Sequence, residues 1–159
     1  FRRNAVAVAV NNEGKILLCK RIPDFPKNGS KYGMFLSDYW QFPQGGLDSG
    51  EEIIVGAQRE LFEETNMKSV EVIAQAQYRH QYIWTNATRS FFNRKYRYKG
   101  QDQFTVFFKF TGEDAEIKLD EHELMDYRWL SPQEVMKTIA PERRPHAEAV
   151  LAELAKIQV

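Results

Sequence analysis

GGLDSGEEIIVGAQRELFEETNM, residues 45–67, opens on a glycine pair and closes on a cluster of acids. From Glu51 to Glu64 the apolar positions Ile54, Ala57 and Leu61 recur at helical spacing, which predicts an amphipathic helix with a buried stripe beside a glutamate face. Residues three and four apart share a helix face, so Glu60 points the same way as both Glu63 and Glu64. Unpaired, each like-charge contact costs a helix roughly 0.2–0.5 kcal/mol. The patch therefore calls for a neutralising partner. Arg59, which can reach Glu63 four residues on, is one candidate, and a bound cation is another.

The flanking sequence supplies a sheet for this helix. AVAVAV (5–10) is apolar on both faces, as a central strand is, and NNEG turns the chain into a second strand, KILLCKR. YWQF resumes strand character before Pro43 and the pair Gly45 and Gly46 break it. Downstream, VEVIAQAQY, QFTVFFKF and DYRWL read as strands. SPQE (131–134) has a serine N-cap, proline at N1 and glutamate at N3, and a last helix follows through HAEAVLAELAKI. Strands interleaved with helices predict an α/β class, a central mixed β-sheet sandwiched by helices. A chain of 159 residues with 43% hydrophobic content suits one domain, residues 1–159. Between strands, IPDFPKNGSKYGMFLSD (22–38) has no period and reads as a long loop, of a length that is usually functional.

Formal net charge is zero, but the charges are segregated. Tyr78 to Lys99 contains no acid, while Arg79, Arg89, Arg94, Lys95, Arg97 and Lys99 alternate with Tyr78, Tyr82, Trp84, Phe91, Phe92, Tyr96 and Tyr98. Basic residues mixed with aromatic ones suit a groove that tracks a nucleic-acid backbone, or equally a solubilised hairpin with a packed face. Glu113 to Asp126 is predominantly acidic. No apolar run approaches bilayer length and no signal peptide is evident, so neither anchor nor membrane partner is expected. The single cysteine, Cys19, cannot form an intramolecular disulfide and fits a reducing, cytoplasmic setting.

At the spacing of glycine, five residues, glutamate, seven residues, then Arg-Glu-apolar-any-Glu-Glu-any-Gly-apolar, the chain supplies Gly45, Glu51, Arg59, Glu60, Leu61, Glu63, Glu64 and Met67. This resembles the signature of the Nudix hydrolases. Asn66 stands where the signature has glycine, and asparagine is the non-glycine residue that best tolerates a left-handed helix end. The resemblance implies the Nudix fold, an α/β/α sandwich, and a site for Mg²⁺ or, as a substitute, Mn²⁺. It implies Glu60 and Glu64 as principal ligands, Glu63 as ligand of a further ion or its water, and a backbone ligand near Gln44 and Gly45. Arg59 is then the residue that orients the glutamates. With Glu63, Glu64 and Arg59, the catalytic set includes Glu123, six residues before Trp129, as base or extra ligand; Glu121 and Asp120 are alternatives. No GxxxxGK loop is present, so phosphates would be held by metal and by arginine or lysine.

YWQFPQGG, FRRNAVAV, GQDQFTVFFKF and IAPERRPHAEAVL resemble more narrowly the bacterial RNA pyrophosphohydrolases and dinucleoside-polyphosphate hydrolases. By position, that resemblance implies Arg2, Arg21, Arg143 and Gln41 as substrate contacts. It points to removal of pyrophosphate from triphosphorylated RNA 5′ ends. Hydrolysis of a diadenosine polyphosphate or a nucleoside triphosphate, or a catalytically silent nucleotide- or RNA-binding module, are the other functions open to the fold. Two departures bear on the RNA assignment: the loop over 22–38 is long and would overhang the substrate entrance, and Glu142 replaces the aromatic residue before the basic pair.

Overall fold

A computed structural model of the chain describes residues 1–22, 40–83 and 98–157. Most of the expected 22–38 loop and the middle of the basic, aromatic tract lie outside the described residues. The strands are β1 (Arg2–Val10), β2 (Ile16–Arg21), β3 (Trp40–Gln41), β4 (Gln44–Gly46), β5 (Val70–Ile83), β6 (Gly100–Phe110) and β7 (Leu124–Leu130). Helix α1 (Ile53–Thr65) lies between β4 and β5, and α2 (Pro132–Thr138) and α3 (Arg144–Ala155) close the chain.

These strands form one sheet in the order β3-β2-β1-β6-β5, with β4 also on β1 and β7 also on β2. β1 runs parallel to β6, in register from Arg2 opposite Gln101 to Val10 opposite Lys109, and the other pairings are antiparallel. The sheet is therefore mixed. The Ala-Val alternation of β1 explains its central place. Ala5, Ala7 and Ala9 face α1 and pack with Ala57 and Leu61, while Val6, Val8 and Val10 face α2 and α3 and pack with Val135, Ile139, Ala147 and Val150. Small side chains on one face let a helix approach closely, and branched ones fill the other layer. No helix among the described residues is long and apolar enough to cross a membrane.

Two local expectations are corrected. Ile54 is 37% exposed, because the inner face of α1 is carried by Gly56, Ala57, Leu61, Glu64 and Thr65, with Ile53 packed at its edge. The glycine pair does not break the chain's strand character: Gln44, Gly45 and Gly46 pair with Val6, Ala5 and Asn4 of β1. Bare backbone leaves room there for the ends of two side chains. A Cβ on Gly45 would lie 2.2 Å from the Glu60 carboxylate, and one on Gly46 would lie 2.4 Å from Nη2 of Arg2.

Asn66 ends α1 at φ 63°, ψ 13°, the left-handed cap, with its N–H donating to the Phe62 carbonyl at 2.7 Å. The capping box of α2 is complete, with Glu134 N–H donating to Ser131 Oγ and Ser131 N–H to Glu134 Oε1. β5 runs on to Ile83, beyond the expected Tyr78, and its register slips between Gln75 and Arg79. There the N–H groups of Gln77 and Tyr78 donate to the carboxylate of Glu153 on α3, at 2.6 and 3.3 Å.

Candidate active site

Helix α1 carries its acids into three environments. Glu64 follows Ala57 and Leu61 on the inner face and is 4% exposed. Its Oε2 accepts the main-chain N–H of Gln44 at 3.1 Å. Burial raises its pKa well above the usual range, and the charges of Glu123 and Glu60 raise it further, against the pull of the Gln44 N–H and of Arg21. Glu60 is half-buried against Gly45, and its pKa is also raised, chiefly by burial, with Arg59 opposing and Glu63 and Glu123 adding to the rise. Glu63 points outward, its side chain 52% exposed.

Arg59 ties these groups to the loop before the helix. Its Nε and Nη2 donate to the two oxygens of Glu51 at 2.8 Å each, Nη1 to Glu60 at 2.8 Å and to Glu63 at 3.1 Å, and Nη2 also to the Gly46 carbonyl at 3.0 Å. A planar guanidinium can serve all these acceptors at once where an ammonium cannot. The same bonds hold Glu51 down to about pKa 2. Glu51 belongs to the motif, but spacing gave it no role; only the fold shows that it anchors Arg59 and accepts the Asp48 N–H at 3.0 Å.

Glu123 precedes β7, exposed, with its charge acting on both Glu60 and Glu64. Of the alternatives, Asp120 has one carboxylate oxygen engaged by the His122 N–H at 3.0 Å, and Glu121 is exposed. Arg21 ends β2 within reach of Glu64's charge, and its Nε is buried without a hydrogen-bond partner among the described residues. Gln41 is buried on β3, its Oε1 likewise without one. Arg2 lies against Gly46. Arg143 donates to the side-chain carbonyl of Gln44 at 3.2 Å, which also accepts from Gln103 at 2.9 Å.

Beside Arg143 stands a group of rings of which the sequence singled out only Tyr78 and Tyr82, within a general aromatic tract. Tyr78, His80 and Tyr82 alternate along one face of β5, with ring centroids 6.0 and 5.1 Å apart. Buried His146 packs against Tyr78, His80 and Phe42 and bonds to Thr105 Oγ1 at 2.9 Å. Burial, His80 and Arg143 push its pKa down to about 3.

The donor chemistry fits a hard divalent cation. Glu60 and Glu64 present carboxylate oxygens to one patch, their own charges repel, and Gly45 leaves backbone open beside them. Among the described residues, no three acid, histidine or cysteine side chains already converge on one point. Mg²⁺ does not require that: it keeps several waters and takes one or two carboxylates together with substrate phosphates.

A family profile described as NUDIX domain matches residues 1–152. The RNA pyrophosphohydrolase of Novosphingobium aromaticivorans is 34% identical over 158 residues, covering 91% of this chain and 86% of its own. That of a Bradyrhizobium species is 33% identical over 165 residues, covering 98% and 93%. Among solved structures, a binary complex of the Caenorhabditis elegans Ap4A hydrolase superposes with a TM-score of 0.68 at 19% identity, over 99% of this chain and 100% of that one. With the motif, the mixed sheet and the glutamate-bearing helix in place, the chain belongs to the Nudix hydrolase family.

Proposed function

We propose that this hydrolase is a Mg²⁺-dependent pyrophosphohydrolase, with Mn²⁺ as a substitute, and that it removes pyrophosphate from triphosphorylated RNA 5′ ends. The observation that carries the metal-dependent part is the pair of crowded carboxylates, Glu60 and Glu64, both with raised pKa and both within the field of Glu123. The identity to RNA pyrophosphohydrolases over most of both chains supports the substrate.

Glu60, Glu64 and a carbonyl near Gln44 and Gly45 would hold the cation, with Glu63 serving a further ion or its water. A bound divalent cation neutralises phosphate oxygens and lowers the pKa of the attacking water. Glu123, exposed at the rim, takes the proton of that water, and Arg59 keeps Glu60 and Glu63 oriented. Arg21, Arg143 and Arg2 take the phosphate oxygens, and the unpartnered Gln41 Oε1 is an acceptor for a substrate donor. Glu142, exposed in the turn before α3, offers no stacking surface. The ring of His80 lies within reach of Arg143's charge instead, with Tyr82 next to it on β5.

The test is to supply the protein and Mg²⁺ with triphosphorylated RNA, diadenosine tetraphosphate and a panel of nucleoside triphosphates. RNA should give the highest kcat/KM. Neutralising Arg94, Lys95 and Arg97 together should raise KM for RNA and flatten its salt dependence, since an RNA phosphate that meets no cationic side chain keeps its counterions on binding. Free nucleotides should be nearly indifferent. Faster turnover of the free nucleotides or the dinucleotide, or an equal effect of the triple variant on RNA and mononucleotide, would transfer the assignment to those substrates.

A further inference from the structure

The last carbonyls of a helix have no partner within it. At α1 the chain after β6 supplies two: Lys118 N–H donates to the Thr65 carbonyl and Asp120 N–H to the Glu64 carbonyl, each at 2.9 Å. The carbonyl of Asp120 then accepts the N–H of Glu123 at 3.0 Å and of Leu124 at 2.8 Å. Glu64 and Glu123 are thus connected, main chain to main chain, through the single residue Asp120.

Glu116 stands at the start of this segment. Its Oε2 accepts the N–H groups of Lys68 and Ser69, both at 3.0 Å, and its Oε1 accepts the Ser69 hydroxyl at 2.6 Å. Its carbonyl accepts Nδ2 of Asn66 at 3.2 Å. All four donors belong to the turn that ends α1. One carboxylate therefore grips the exit of the helix that carries Glu60 and Glu64, while its own backbone leads into the segment that carries Glu123.

We propose that Glu116 is a positioning residue: by clamping residues 116–124 to the end of α1, it fixes the separation between the carboxylates of Glu64 and Glu123. The proposal rests on the placement of those two groups in the hydrolytic site. Glu116 itself touches no reacting atom, and its removal acts through geometry.

The experiment compares wild type, Glu116→Ala and Glu116→Gln. Amide hydrogen exchange is followed on the metal-free proteins, and steady-state kinetics are measured with Mg²⁺ and the best substrate of the panel above. Glu116→Ala should accelerate exchange at Lys118 and Asp120 and lower kcat by about tenfold or more, with KM nearly unchanged, as expected when a group that orients the catalytic residues is removed. Glu116→Gln keeps an acceptor oxygen and an N–H₂ that can meet the Ser69 hydroxyl, so it should recover most of kcat. Unchanged exchange at both amides overturns the clamp. Faster exchange with wild-type kcat, or equal loss in the two variants, overturns the positioning role. A wild-type protein that hydrolyses no member of the panel removes the functional assignment and the positioning role with it, while the clamp is still read independently from exchange.

Discussion

The main-chain N–H of Gln44 donates to Oε2 of Glu64 at 3.1 Å, so a strand fixes the orientation of a buried helix carboxylate without using a side chain. Glu64→Gln keeps an acceptor for that bond and removes the charge. A carboxyl group whose folded pKa lies above its unfolded value destabilises the fold as pH rises from the unfolded pKa, near 4.5, through the folded one. In EDTA, Glu64→Gln should therefore melt above wild type at pH 7, by about 2–4 °C for each kcal/mol relieved, and the gap should close below pH 4. Hydrolysis should be lost. Wild-type turnover by the folded variant would remove Glu64 from the site.

Arg59→Lys should separate the arginine's geometry from its charge. A lysine cannot reproduce the paired bonds to Glu51 while reaching Glu60 and Glu63. We expect a loss of about 1.5–3 kcal/mol, the range for hydrogen bonds to charged groups, together with at least a tenfold fall in kcat. The depressed pKa of Glu51 adds a sign: its contribution is present above pH 4.5 and lost as pH falls toward 2. Wild type should therefore lose stability over that acid range faster than Arg59→Lys. Parallel acid-denaturation curves would refute the coupling.

Gly45→Ala introduces a methyl group 2.2 Å from the Glu60 carboxylate. A side-chain end can swing aside, so the fold should survive with Tm within a few degrees. Glu60 should then be displaced from the proposed cation site. Mn²⁺ titration is expected to show at least a tenfold weaker site, as is typical when the groups ordering a ligand are disturbed. Undiminished Mn²⁺ affinity would exclude Glu60 as a ligand.

Asn66 adopts a positive φ and also donates to the Glu116 carbonyl. Asn66→Ala keeps neither advantage and should cost about 1–2 kcal/mol. Asn66→Gly restores the backbone freedom but not the bond, so it should fall between Ala and wild type in chemical denaturation. A glycine variant less stable than the alanine one would contradict this account.

Much of this was legible in the sequence where one segment carries its own signal. β1 shows its burial in alternating alanine and valine, α2 shows its start in Ser131 and Glu134, and Asn66 shows the end of α1. The spacing of Glu60, Glu63 and Glu64 announced a shared patch, but their unequal burial depends on what packs against each, and β4 and the Glu123 segment are remote in sequence. Gly45 and Gly46 looked like breakers because the side chains that lie against their bare backbone, Glu60 and Arg2, are supplied by other elements. The same holds for Gln44, which meets Gln103 and Arg143 only through the fold.

β5 stands at the end of the described sheet, and a long terminal strand is a template for unwanted pairing with another copy of the chain. The slip between Gln75 and Arg79 interrupts that template midway, and Glu153 occupies the two N–H groups it frees. One acid on the last helix thus satisfies the main chain where the strand is interrupted.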